Sequence, residues 1–166
     1  MSSAGSREPR AKAPGFGHRN LPLLLLQVRE LLLDRFRPIL HAHGLTEQQW
    51  RVVRALVEHG PLEPRQIGRV CRISSPSLAG VLARMEELGL VRRERLATDQ
   101  RRVMVTPTGK SRTLAASMAP QIDAVYVALE SQLGVELLAR LQATADELVA
   151  VLGDGASAEG RRPARP

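Results

Sequence analysis

The first hydrophobic stretch of the chain has the period of an amphipathic helix. Apolar residues recur three to four positions apart from Leu21 to about His43, and Gly44 then supplies a stop. Pro38 should kink this helix, because its ring removes the hydrogen bond to the carbonyl of Asp34. The predicted apolar face consists of Leu25, Leu26, Leu32, Leu33, Phe36 and Leu40.

A second helix is predicted to begin at Thr46. The stretch "TEQQ" matches a capping box, in which the Thr46 hydroxyl caps the helix and Gln49 reaches back to the Thr46 backbone. Gly60-Pro61 ends the helix. Its predicted inward face consists of Trp50, Val53, Leu56 and Val57.

Two short helices follow, joined by a tight turn. The first covers about 63–71, with Ile67, Val70 and Cys71 pointing inward. In the second, Ser75 suits the N-cap and Pro76 the first helical position, while Gly89 fits just past the end. The inward face of this fourth helix consists of Leu78, Val81, Leu82, Met85 and Leu88.

The pattern then changes to two short strands and returns to helices. Residues 91–95 and 102–105 have strand character, with a polar loop between them. A long helix follows Thr106-Pro107 and runs to about Leu133, with an interruption at Pro120. A last helix is predicted over 135–152.

This element order predicts a mainly α protein, a winged helix-turn-helix with long N- and C-terminal dimerisation helices. The terminal helices carry apolar stripes too long for the small domain alone, so a second copy of the chain is the simplest partner. The predicted organisation is a disordered basic tail at 1–19, N-terminal helices for dimerisation at 20–60, a winged domain at 61–110, C-terminal dimerisation helices at 111–152, and a disordered tail at 153–166.

Composition narrows the function. At 166 residues and 2% aromatic content, the chain lacks the exposed rings that a single-strand or RNA stacking surface needs. One cysteine, Cys71, excludes a disulfide framework, and no apolar run reaches membrane-spanning length. With no signal-peptide pattern either, the sequence predicts a cytoplasmic protein without membrane contact.

The charge is positive and concentrated in one third of the chain. The net charge is +7, and residues 61–110 hold ten basic against five acidic side chains. A high-arginine coding bias explains part of the total, so the clustering is the informative feature. A basic cluster of this kind favours a polyanionic partner.

The fourth helix has the surface expected of a DNA-reading helix. Its outward positions are mostly small, which allows close approach to base edges and phosphates. Ser75, Pro76 and Ser77 lie at the helix N-terminus, where backbone N–H groups favour a phosphate. Gly80 belongs to the small face, and Arg84 suits a guanine or a phosphate. A merely solvated face would be richer in Lys and Glu.

The hairpin places arginines at its tip. Arg101 and Arg102 follow Asp99 in the loop. An arginine at such a tip can enter the minor groove, where negative potential is focused. Asp99 is unsuited to DNA contact, so we expect it to brace the Arg101 guanidinium by a bidentate ion pair.

Three stretches together resemble the MarR family of dimeric winged-helix regulators: "LTEQQWRVVRAL", "SSPSLAGVLARMEELGLVRR" and "DQRRVMVTPTGK". The resemblance covers roughly 21–152. The family wing pattern is matched by Asp99, Arg101, Thr106 and Gly109, although Val105 stands where a Leu is usual. The stretches "LLLLQVRE" and "FRPIL" are similar to the subgroup of homoprotocatechuate-operon repressors.

The resemblance implies a function. It implies that the fourth helix reads the major groove of a palindromic double-stranded operator, that Arg101 enters the minor groove, and that the first, fifth and sixth helices form a homodimer. It also implies repression relieved by a small aromatic or heteroaromatic carboxylate, in control of aromatic-acid catabolism. No cofactor is implied.

Arg29 is the first candidate for binding such an effector. It lies within the apolar stripe of the first helix, where a charge needs a counter-charge. An acid of the partner chain and a carboxylate ligand are both open alternatives. Phe36 and Trp50 could form an aromatic wall, and Arg51 and Arg54 are secondary anchors.

Three rival functions have sequence signals to weigh. A thiol-based redox sensor would act through Cys71, which lacks a second cysteine and is predicted to face inward. A nonspecific architectural DNA-binding protein would also suit the small-residue helix face. An enzyme is not indicated, because no catalytic triad, paired carboxylates, phosphate loop or metal-ligand spacing is present.

Overall fold

The computed structural model describes residue 15 and residues 17–96 and 99–158, without the side chains of 100 and 154–158. Most of the predicted N-terminal tail and part of the predicted C-terminal tail lie outside these residues. The chain divides into two units, residues 1–35 and 36–166. Helix α1 begins in the first unit and ends in the second.

The described residues form six helices and a two-stranded antiparallel sheet. This confirms the mainly α, winged-helix prediction. The elements are α1 Leu21–Ala42, α2 Glu47–His59, α3 Pro64–Cys71, α4 Ser75–Glu87, β1 Val91–Leu96, β2 Asp99–Pro107, α5 Gly109–Leu133 and α6 Val135–Ala158.

Local sequence signals set most of the helix ends. The Thr46 hydroxyl accepts the Gln49 N–H at 3.2 Å, and the Gln49 side chain accepts the Thr46 N–H at 2.9 Å, so the predicted capping box is confirmed. Gly44 and Gly89 adopt the left-handed φ values of 67° and 68° that follow α1 and α4. These glycines allow sharp helix ends at which an L side chain would be strained.

The core of the second unit lies where α2, α3, α4 and the sheet meet the first half of α5. Val52 and Met85 are fully buried there, as are Val105 of β2 and Met118 of α5. Leu62, just before α3, pairs with Val105 by two backbone hydrogen bonds of 2.8 and 3.1 Å. This bridge fastens the β1–β2 hairpin, which forms the wing, to the chain just before α3.

Hydrogen bonds connect the start of α5 to the end of α4. The Thr108 hydroxyl donates to the Gly89 carbonyl at 2.8 Å, and the Lys110 ammonium donates to the Leu88 carbonyl at 2.8 Å. The buried Ser111 hydroxyl donates to the Leu90 carbonyl. The α4–β1 turn and α5 therefore form one hydrogen-bonded joint.

The structure corrects several sequence expectations of burial. Val57 and Val70 are 42% and 53% exposed, and Trp50 is only half-buried. Val52 is fully buried instead. The neighbouring helices decide which flank of each stripe is covered, and a periodic pattern cannot specify that.

The helices and strands differ from the sequence prediction in four respects. The N-cap of α4 is Ser74, so Ser75 is the first helical residue. Helix α5 continues through Pro120, which was expected to interrupt it. Helix α6 extends to Ala158, into the predicted tail, and both strands exceed their predicted lengths because they pair almost to the hairpin tip.

Candidate nucleic-acid interface and effector pocket

Helix α4 presents the predicted surface to solvent. Leu78, Leu82 and Met85 anchor one side in the core. Ser75, Pro76, Ser77, Gly80 and Arg84 are all exposed on the rest of the helix, as is Ala79.

Gly80 leaves the centre of that surface open. A Cβ added at Gly80 would meet no heavy atom within 4 Å. The exposed surface of α4 is therefore shallow at its middle and could lie close against a flat or grooved partner.

Only a weak, exposed ion pair holds the Arg84 side chain. Its guanidinium pairs with the Glu87 carboxylate at 2.8 Å, and both side chains are 64% exposed. An exposed i,i+3 ion pair contributes little stability, because water screens it and two long side chains must be ordered. Arg84 can leave Glu87 for a phosphate or a base at little cost.

In the wing, Asp99 supports Arg101 differently from the prediction. The Asp99 carboxylate accepts the backbone N–H of Arg101 at 3.0 Å. Within the described part of the chain, the expected ion pair with the Arg101 guanidinium is not formed. Asp99 thus shapes the turn by an Asx-type hydrogen bond and leaves the Arg101 side chain exposed.

Arg102 points back onto the domain. Its Nε donates to Glu63 Oε1 at 2.6 Å, and Glu63 is the N-cap residue of α3. The ladder is irregular beside it, since Arg95 pairs with Val103 while Leu96 pairs with Asp99. Arg102 therefore connects the wing to α3, a role that its position beside Arg101 did not reveal.

A basic groove lies between α3, α4 and the wing, with a volume of about 820 Å³. Its charged lining consists of Arg65, Arg69, Arg72 and Arg93, next to Ser74 and Ser75 at the start of α4. Arg93 also donates to Glu86 at 2.7 Å, and this hydrogen bond holds the pKa of the Glu86 carboxyl below its ordinary value. The charge count over 61–110 was the only sequence signal for these groove arginines.

A second, smaller pocket of about 220 Å³ lies between α2 and α5. Trp50 and Arg54 of α2 face Asp123 of α5 across it. Arg54 Nε donates to Glu58 Oε1 at 2.6 Å, and both side chains are about half exposed. The lining is Trp50, Arg54, Val57, Glu58, Ala115, Ala119, Ile122 and Asp123.

Of the five effector-binding candidates, only Trp50 and Arg54 line this pocket. Phe36 instead packs against Tyr126, with ring centroids 5.3 Å apart and the two rings tilted by 56°. Arg51 donates from Nη1 to the Cys71 carbonyl at 2.6 Å, and its buried Nε has no hydrogen-bond partner. Arg51 therefore binds the end of α3 and is not among the residues that line the pocket.

Arg29 belongs to the first unit. Its guanidinium pairs with the carboxylate of Glu30, the next residue, and its side chain is 46% exposed. A counter-charge within its own helix was not among the two alternatives that the sequence left open.

Residues 43–102 match the MarR family. The FarR transcriptional regulator of Neisseria gonorrhoeae is 37% identical to this chain over 81% of its length and 92% of the relative. The chain belongs to the MarR family.

Two further comparisons refine the subgroup of this MarR protein. The homoprotocatechuate degradative operon repressor of Escherichia coli is 37% identical over 81% of this chain and 90% of the relative. The crystal structure of NadR in complex with 4-hydroxyphenylacetate matches with a TM-score of 0.71 and 38% identity, over 80% of this chain and 94% of that one. The predicted resemblance to a MarR regulator of this subgroup is confirmed, and the protein is a DNA-binding transcriptional regulator of MarR type.

Cys71 of this MarR protein is buried, with 4% of its surface exposed. Burial raises the pKa of the Cys71 thiol, and the nearby charge of Arg51 opposes the rise in part. The thiolate is the reactive species, so at neutral pH this thiol should be inert. The environment argues against a redox switch here.

We expect hydrogen peroxide to leave the DNA affinity of the protein unchanged. The measurement is a DNA-binding isotherm before and after peroxide treatment, with Cys71→Ala as a variant that cannot respond. A peroxide-induced loss of binding that Cys71→Ala abolishes would establish the redox sensor instead.

Two features are absent from the part of the chain that the structure describes. No group of three or more His, Cys, Asp or Glu side chains is placed there to hold a metal ion. None of the helices in that part has the length and hydropathy needed to cross a membrane.

Proposed function

We propose that this chain is a dimeric repressor that binds a palindromic double-stranded operator in the cytoplasm and is released by a small aromatic or heteroaromatic carboxylate. We further propose that it acts without catalysis or a cofactor and controls an aromatic-acid catabolic operon. The observation that carries the proposal is the open small-residue face of α4 beside a wing and a groove lined by arginines.

In this proposal α4 enters the major groove. The shallow surface around Gly80 would let the helix axis approach the base edges, with Arg84 available for a guanine or a phosphate. The exposed Arg101 would enter the neighbouring minor groove, aimed by the hydrogen bond from its backbone to Asp99. Arg102, paired with Glu63, would hold the wing in place.

The proposed homodimer rests on exposed apolar side chains. Helix α1 exposes Leu23 and Leu26 by about half, and α6 exposes Val151 and Leu152 by about 70%. Apolar faces of this extent require a covering partner, and a second copy is the simplest one. Two-fold symmetry of the protein would then require two-fold symmetry of the operator.

The pocket between α2 and α5 suits a one-ring acid. An apolar cavity of about 150 Å³ is enough for benzene, so 220 Å³ leaves room for a ring with small substituents. Trp50 would supply a flat wall, and Arg54 would bind the carboxylate through two parallel hydrogen bonds. Asp123 would accept a hydrogen bond from a ring hydroxyl or a ring N–H.

Glu58 would compete with a ligand carboxylate for Arg54. A ligand carboxylate has to displace Glu58 from Arg54, and the half-exposed pair between them is weak enough to yield. The likeness to NadR bound to 4-hydroxyphenylacetate supports the same ligand class here.

Helix α5 would carry the signal to the DNA-binding surface. It lines the pocket at Ala115, Ala119 and Asp123, and its first turn is hydrogen-bonded to the turn that ends α4. A ligand that separates α2 from α5 would displace α5. The hydrogen bonds between α5 and the turn after α4 would then move α4 as well. Release from DNA follows if the ligand binds the shifted state better than the DNA-binding state.

The test is the affinity for a palindromic duplex from the protein's own promoter region at fixed salt. It is measured with and without a panel of hydroxylated aromatic and heteroaromatic acids, including homoprotocatechuate and 4-hydroxyphenylacetate. We expect the palindrome to be preferred over random duplex by about 10³-fold or more, and one acid of the panel to release it.

The other outcomes separate the parts of the proposal. Tight binding that no acid weakens would leave a regulator and refute the aromatic-acid response. Binding without preference for the palindrome would indicate an architectural DNA-binding protein. Turnover of an acid from the panel would refute the proposal that the chain is not an enzyme.

A further inference from the structure

The turn that ends α3 contains a strained arginine. Arg72 has φ 50° and ψ 50°, and within the described residues it is the only non-glycine with a positive φ. The residues with positive φ just after α1, α2, α4 and α5 are Gly44, Gly60, Gly89 and Gly134, although Gly60 and Gly134 combine it with extended ψ values of −160° and 140°. At each of those ends the chain uses glycine, the residue that adopts a positive φ without strain.

The fold demands the left-handed conformation at this position. The Ile73 N–H donates back to the Gly68 carbonyl at 3.1 Å, which closes α3 just before Ser74 caps α4. A Cβ at Gly68 would lie 3.2 Å from the Ile73 carbonyl oxygen, so the turn is tight. An L side chain at Arg72 costs stability that glycine would not.

The Arg72 side chain has no visible structural task to offset that cost. It is exposed, and its guanidinium makes no hydrogen bond or ion pair with the described residues. Persistent strain of this kind is typical of positions where the side chain is needed for function.

The location of the Arg72 side chain indicates what it binds. Arg72 lines the basic groove together with Arg69, beside Ser74 and Ser75 at the start of α4. In a helix-turn-helix the helix before the recognition helix crosses the DNA backbone. A cation between the two helices therefore meets phosphates, which position the protein but carry no sequence information.

We propose that Arg72 binds a DNA phosphate next to the N-terminus of α4, and that the strained turn is retained for this interaction. The proposal rests on the proposed DNA-binding function and adds a phosphate anchor outside α4 and the wing.

The test is Arg72→Gly in the full-length protein. The melting temperature should stay the same or rise, because glycine relieves the left-handed strain. The affinity for operator and for random duplex should fall together, by about a hundredfold or more, because one charge-assisted hydrogen bond to a phosphate is removed in each of the two protomers. The slope of log affinity against log salt should become shallower by about 0.9 for each phosphate that the variant no longer neutralises.

Two variants make the result specific. Arg140→Ala on the exposed surface of α6 removes the same charge away from the groove and should change neither affinity nor slope. Arg72→Lys keeps the charge and should recover most of the salt slope.

Each contrary result would overturn a different part of the proposal. Unchanged affinity and slope in Arg72→Gly, or equal losses in Arg140→Ala, would refute the phosphate interaction. A marked fall in melting temperature would show that Arg72 is structural. If the wild-type protein bound no duplex, the proposed function itself would fail.

Discussion

Gly80→Gln is expected to weaken operator binding by about two orders of magnitude while leaving the fold intact. The side chain would project from the middle of the exposed α4 surface into space that is empty in the free protein. If that space is filled by base edges in the complex, the helix must back away and several hydrogen bonds to the bases cannot form. At about 1–3 kcal/mol for each bidentate pair, the affinity should fall by about a hundredfold or more.

The same change should raise stability slightly. Glycine inside a helix costs roughly 0.5–1 kcal/mol relative to a good helix former, and glutamine is one. The measurements are a thermal melt and a DNA-binding isotherm on the same preparation. A higher melting temperature together with a lower DNA affinity would show that the defect is in binding and not in folding.

Gly80→Ala is the control for this prediction, because it adds only a methyl group and should lose much less affinity. Full operator binding by Gly80→Gln would exclude α4 as the groove-reading element.

Arg54→Gln is expected to remove the response to the effector without weakening DNA binding. Arg54 is the only cation lining the pocket between α2 and α5 within the described residues. A hydrogen-bonded carboxylate partner contributes about 1.5–3 kcal/mol, so the acid concentration needed for half-release should rise roughly 10- to 100-fold. Operator affinity without the acid should match wild type.

Glu58→Gln should act in the opposite direction. It removes the carboxylate that competes for Arg54, so less acid should be needed for half-release. Arg51→Gln is the matched control, because Arg51 lies one helical turn earlier and contacts the Cys71 carbonyl instead of the pocket. Its half-release concentration should stay at the wild-type value.

Arg29→Ala decides between the two proposed anchors. If this variant loses the response and Arg54→Gln keeps it, the carboxylate binds on α1, as the position of Arg29 within the apolar stripe first suggested. If only Arg54→Gln loses the response, the effector carboxylate binds Arg54. The charge of Arg29 then acts within α1, where it pairs with Glu30.

The sequence by itself was sufficient for several features that depend on near neighbours in the chain. The capping box at Thr46 and the stops at Gly44 and Gly89 were predicted correctly, because capping uses hydrogen bonds within one turn. The helix order and the hairpin followed from the hydrophobic periodicity, and the small outward-facing residues of α4 followed from the same periodicity. Together they identified the winged helix-turn-helix.

The tertiary structure alone decided which side chains meet across elements. Glu63 and Arg102 are 39 positions apart, and Arg54 and Asp123 belong to different helices. Periodicity gives each helix a buried side but not its neighbour, so it could not distinguish Arg54 in the pocket from Arg51 against α3. The strain at Arg72 is likewise a property of the folded backbone, because an arginine in a sequence gives no sign of a positive φ.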